Sequence, residues 1–174
     1  MPSPARSTPH PGPLCTDRGV QLSAELTSAV AGARRRAART GDGQIDTAHL
    51  LHSLLESDPA VRDAFSGAEM SRLLGYLVQR SIGYGLRWAG AVEDSGAVPV
   101  VREYAGWSPA AATAMTAALA WAERRGVPRA SGLGLLAALT GDPECRAVEV
   151  LRRGGVEPEV LARRLADQAG GAPG

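Results

Sequence analysis

The chain has 174 residues, 44% of them hydrophobic, and a formal net charge of +1. That length fits one compact domain or two small ones packed together, and the near-neutral balance is a poor footing for a nucleic-acid surface, which must neutralise several phosphates. Two cysteines, Cys15 and Cys145, do not make a disulfide framework.

In chain order, residues 1–21 are too rich in Pro, Ser and Gly to pack and are expected to be a disordered tail. They lack the apolar stretch of a secretory leader, and no later run approaches a membrane span, so a cytoplasmic protein without membrane contact is expected. Leu22, Leu26, Ala29, Val30, Ala33 and Ala37 then recur at three- and four-residue spacing, which predicts an amphipathic helix. Gly41-Asp42-Gly43 ends it, glycine supplying the left-handed turn of a helix C-terminus. Asp46 or Thr47 caps a second helix carrying Leu50, Leu51, Leu54 and Leu55. Pro59 opens a short third helix with Val61, Ala64 and Phe65, and Met70, Leu73, Leu74, Leu77 and Val78 stripe a fourth.

The same plan returns about 85 residues later. Nine positions are identical at that constant offset, among them Ser23/Ser108, Ala33/Ala118, Gly41/Gly126, Leu50/Leu135, Leu51/Leu136 and Leu54/Leu139. After small slips, Asp58-Pro59 meets Asp142-Pro143, and Leu73 and Leu77 meet Leu161 and Leu165. Ordered matches of this kind mark a tandem duplication. Ser108-Pro109 reads as a cap followed by Pro in the first turn, and Ser131 caps the helix of Leu135. No stretch alternates with the period of a strand. The expected fold is all-α: two tandem four-helix units packed as a pseudo-two-fold, eight-helix domain. The units span 22–82 and 107–168, with a connection at 83–106 and a disordered tail at 169–174. The connection holds Tyr84, Trp88, Tyr104 and Val98-Pro99-Val100-Val101. It is too apolar for a free spacer and is expected to lie across both units.

The run Gly41-Asp42-Gly43-Gln44-Ile45-Asp46-Thr47-Ala48-His49-Leu50-Leu51, its worn copy from Gly126 to Leu136, and the Trp107-Ser108-Pro109 opening resemble the double Clp repeat. That repeat pair is the N-terminal domain of the AAA+ unfoldases that feed the Clp protease, and the resemblance covers Leu22 to Asp167. All nineteen basic residues are Arg. Without Lys the chain cannot carry a P-loop, whose Lys reaches the β- and γ-phosphates, so the recognition module is expected to stand alone, without the ATPase.

The resemblance implies a non-catalytic protein- or peptide-binding module with no cofactor. Its ligand is expected at or near the groove between repeats, around Leu22, Thr47, Ala48, Trp107, Gly132 and Leu133. Its implied partners are a Clp unfoldase or that enzyme's substrates and adaptors. The matching aromatic of the family lies by that groove; as a residue just ahead of a helix cap, Trp107 is equally readable as a packed indole. In family members that recognise phosphorylated arginine, a Glu in each Thr-Glu-His step clamps the guanidinium, a task suited to a bidentate acceptor. Here those positions are Ala48 and Leu133, so the resemblance does not carry phosphoarginine recognition over to this chain.

Three other groupings support no site. His49, His52 and Glu56 share a helix at metal-like spacing, but the sequence supplies no fourth ligand, and a structural or surface role is the better reading. Arg34-Arg35-Arg36 fan out around a helix at about 100° each and suit a solvated face. Cys145 has Glu144 and Arg146 beside it and no base, which fits a half-buried helical thiol rather than a nucleophile. No hydrolase or metalloprotease motif occurs.

Overall fold

The computed structural model describes residues 19–80, 93 and 106–171. Eight helices form among them: α1 (Ala24–Thr40), α2 (Thr47–Ser57), α3 (Pro59–Asp63), α4 (Gly67–Gln79), α5 (Pro109–Arg124), α6 (Gly132–Thr140), α7 (Arg146–Arg153) and α8 (Pro158–Gly170). Six of them begin at a side-chain cap, and α7 and α8 do not. The Ser23, Ser66, Ser108 and Ser131 hydroxyls accept an N–H three residues on, and the Asp46 and Asp58 carboxylates do the same for α2 and α3. Gly41 closes α1 at φ 71°, a conformation open to glycine but costly to other residues.

Pseudo-symmetry is visible in two short strand pairings. β1 (Gln21–Leu22) runs parallel to β2 (Arg129–Ala130), and Ile45 bridges Trp107 in parallel fashion. The Ser23 N–H donates to the Ala130 carbonyl at 2.9 Å, and the Ser108 N–H donates to the Ile45 carbonyl at 2.8 Å. The 85-residue offset carries Ser23 onto Ser108 and Ile45 onto Ala130, so the two bonds are one bond written twice. Each repeat begins by pairing with the other, which makes an intimate interface rather than a string of beads.

Leucine and alanine build the core. Leu26, Leu50, Leu51, Leu54, Leu73, Leu77, Met115, Leu135, Leu136, Leu139 and Leu151 are fully buried. Small residues on α1 (Ala29, Ala33, Ala37) and α5 (Ala111, Ala114, Ala118) let their partner helices approach closely. α2 is central and is buried on every side from Thr47 to Leu55. It packs on α1 within its repeat and on α5, α6 and α7 of the other. A second inter-repeat tie joins α4 to α8, where the Arg164 guanidinium grips Glu69 at 2.9 and 3.2 Å. That grip holds the Glu69 carboxyl below the usual carboxylate range.

The packed region starts and ends slightly beyond the sequence boundaries. Val20 is already buried, Gln21 belongs to β1, and α8 continues to Gly170. Val78 does not extend the α4 stripe: it is 57% exposed, because Leu73 and Leu77 fill the core contact one turn apart and Val78 faces away. Apart from Glu93 and Gly106, the connection at 83–106 lies outside the described residues, and with it the expected path across both repeats.

Candidate functional site

Helices α2, α5 and α7 begin at one place, the junction between the repeats. A helix start presents N–H groups without an intrahelical acceptor, and three such starts together need oxygen acceptors. Asp46 supplies one set. Its Oδ1 accepts from the His49 N–H at 2.7 Å, and its Oδ2 accepts from the Arg146 guanidinium at 2.8 Å, with that of Arg80 at 3.9 Å. Glu93 supplies the other. It is only 5% exposed, and its carboxylate accepts from the Thr47 N–H (2.8 Å), the Arg146 N–H (2.9 Å), the Ser108 hydroxyl (3.2 Å) and the Thr47 hydroxyl. The Thr47 oxygen in turn accepts from the Ala147 N–H at 2.9 Å. Burial lowers the pKa of the Arg80 guanidinium, opposed by the Asp46 carboxylate.

Beside this junction lies a partly open cavity of about 330 Å³. Its mostly apolar walls come from α5 (Ala110, Ala114, Ala117) and the end of α6 (Ala138, Leu139), with Thr47, Thr113 and Asp142 as polar points. The α5 wall consists of small residues at helical spacing, and it is their missing bulk that leaves the space. Cys145 also lines the cavity. It is fully buried at the start of α7 rather than half-buried within a helix. Burial pushes its thiol up to about 11. The group stays protonated at neutral pH, which suits packing rather than nucleophilic attack.

Of the six positions singled out in the sequence, two sets emerge, related by the repeat. Trp107 pairs with Ile45 just ahead of Thr47 and Ala48; Leu22 pairs with Ala130 just ahead of Gly132 and Leu133. Ala48 and Trp107, at 1% and 5% exposure, are packed inside. Leu22 and Leu133 remain half-buried at the surface, whereas Gly132 is covered by Asp58. Thr47 alone reaches both the buried polar junction and the cavity wall.

The histidines act structurally. His49 Nδ1 accepts from the Asp46 N–H at 3.1 Å, completing a reciprocal cap, while its Nε2 lies 3.0 Å from Asp42. His52 is pushed down to about 4, first by burial and then by the Arg36 guanidinium. Among the described residues no group of His, Cys, Asp and Glu is placed to hold a metal, and no helix is long and apolar enough to cross a membrane.

Nothing in the sequence flagged Glu93, one of three acidic residues in the connection, which belongs to no motif. The cavity did leave a trace, the small-residue face Ala110, Thr113, Ala114 and Ala117.

The fold has a counterpart among solved structures. The N-terminal domain of the caseinolytic protease associated chaperone ClpD from Arabidopsis thaliana superposes with a TM-score of 0.62 at 19% identity, over 86% of this chain and 95% of that one. No family model matches the sequence, and no curated protein matches it. The chain has the fold of a Clp N-terminal domain.

Proposed function

We propose that this domain is a non-catalytic protein- or peptide-binding module that serves as an adaptor or accessory in Clp-dependent proteolysis. The observation that carries this reading is the partly open apolar cavity at the repeat junction, on a fold shared with a Clp chaperone's N-terminal domain. Apolar concavities with a few fixed polar points are where small side chains of a ligand are held. Thr47, Thr113 and Asp142 are those points, and the alanines of α5 give the ligand room to approach the backbone. The half-buried Leu22 and Leu133 extend the reading to the second repeat edge. Neither position 48 nor position 133 carries a carboxylate, so the ligand is read by shape and apolar contact in the cavity rather than by a guanidinium clamp. A second reading rests on the same cavity: a decoy that sequesters ligands of an unfoldase N-domain, such as peptide antibiotics directed at it.

The test is capture from a lysate of the native host on immobilised protein, compared with an Ala117→Arg variant. Ala117 sits exposed on the cavity lip, so the change fills the space without touching the core. Retention of a Clp unfoldase by the wild type alone identifies an adaptor. Retention of the unfoldase's ligands without the unfoldase identifies a decoy. Identical eluates from wild type and variant contradict both.

A further inference from the structure

The start of α7 has no cap of its own. Its N-cap residue is Cys145, whose side chain makes no capping bond. The first N–H groups of α7 and of α2, together with the Ser108 hydroxyl at the start of α5, converge instead on the carboxylate of Glu93. That carboxylate arrives from 46 residues beyond Thr47 and 53 residues before Arg146. Four donors on one buried carboxylate form a built anion site, and the side-chain hydroxyls of Thr47 and Ser108 make it more than a pair of helix ends. The neighbouring Asp46 carboxylate has partners of its own, the Arg146 guanidinium at 2.8 Å and that of Arg80 at 3.9 Å. At the pseudo-equivalent place the need does not arise, because Asp58 caps α3 from its own segment and Ser131 caps α6.

We propose that the junction of α2, α5 and α7 is a carboxylate-binding site that the chain fills in cis with Glu93. The site belongs to the two repeats, and Glu93 is its ligand. Another carboxylate enters only when that of Glu93 is absent or displaced. This does not rest on the binding function proposed above.

Chemical rescue tests it. The Glu93→Gly variant of the full chain keeps the four donors and removes the ligand. Its melting midpoint in sodium chloride is expected to fall by roughly 5 °C or more, the scale of a lost charged hydrogen-bond partner in a domain of this size. Sodium formate at matched ionic strength should restore at least half of that loss, saturably, because it binds the folded state alone. Wild type should not respond. Equal formate effects on wild type and variant, or a variant that melts like wild type, would overturn the proposal. A second measurement needs no variant. In wild type the Thr47 and Arg146 amide protons should be protected from solvent exchange, and exchange at the rate of open amides would show that no carboxylate holds them.

Discussion

Two of the places where one repeat meets the other share a backbone and differ in chemistry. At the start of α2, Thr47 carries a hydroxyl that joins Glu93 to the first turn of α7. At the start of α6 the equivalent residue is Gly132, and the space above its Cα is taken by the carboxylate of Asp58. The first junction is bridged by a polar side chain and a remote acid. The second is closed by direct contact of two helix starts. Duplication preserved the breakers, the leucines and a side-chain cap on the first two helices of each repeat, while the later caps and the polar contents of the junctions diverged. Where backbone hydrogen bonds fix the frame, different side chains can satisfy the same helix ends.

Exchanging residues between the repeats breaks this comparison most sharply. Repeat 1's threonine placed in repeat 2, as Gly132→Thr, sets a Cβ 2.2 Å from Asp58 Oδ2 and 3.1 Å from Val61 Cγ2. Asp58 has little freedom to withdraw, because its other oxygen accepts from the Ala60 N–H at 2.9 Å. Overpacking plus a disturbed cap is expected to cost roughly 3 kcal/mol in urea or thermal unfolding. A variant as stable as wild type would mean that the α3/α6 contact is loose.

The next effect is acid sensitivity that originates in repeat 1, where His52 holds the position that Ala137 holds in repeat 2. Its folded value of about 4 lies below the ordinary 6.5, so the unfolded chain binds the extra proton first. The contribution of neutral His52 is complete above about 6.5 and is lost as pH falls toward 4, a span worth roughly 3 kcal/mol. Arg36, Arg80 and His49 oppose the charged form and Glu56 favours it. Unfolding free energy followed from pH 7 to 4 should decline in wild type and decline less in His52→Ala. Parallel curves would remove His52 as the cause.

The smallest of the three is the reverse exchange, Thr47→Gly. It deletes the hydroxyl between Glu93 and Ala147 but leaves the Thr47 N–H in place, and roughly 2 kcal/mol of destabilisation is expected. A loss below about 0.5 kcal/mol, the scale of an ordinary surface change, would show that the two junctions are energetically alike despite their chemistry.

The sequence already revealed the duplication, the helix order and three of the six side-chain caps: Ser108-Pro109, Ser131, Asp46 or Thr47, and the turn at Gly41 are legible within four residues. The strand pairings were silent, since a two-residue parallel pair has no periodicity to read. Val78 fitted the helical stripe and still faces solvent, because periodicity marks a face and not how far the neighbouring element extends. Of the site, Thr47 was visible through its motif. Its partners Glu93 and Ala147 come from 46 and 100 positions away in contacts that no local pattern encodes.

That the repeats share one core is tested most directly by native-state hydrogen exchange on the intact chain. Leu50, Leu51 and Leu54 of α2 and their counterparts Leu135, Leu136 and Leu139 of α6 are all fully buried, and α2 packs against α6. Their amides should exchange at a common opening free energy equal to that of global unfolding. If one trio exchanged at a free energy clearly below the other, the repeats would open separately and the single-core account would be wrong.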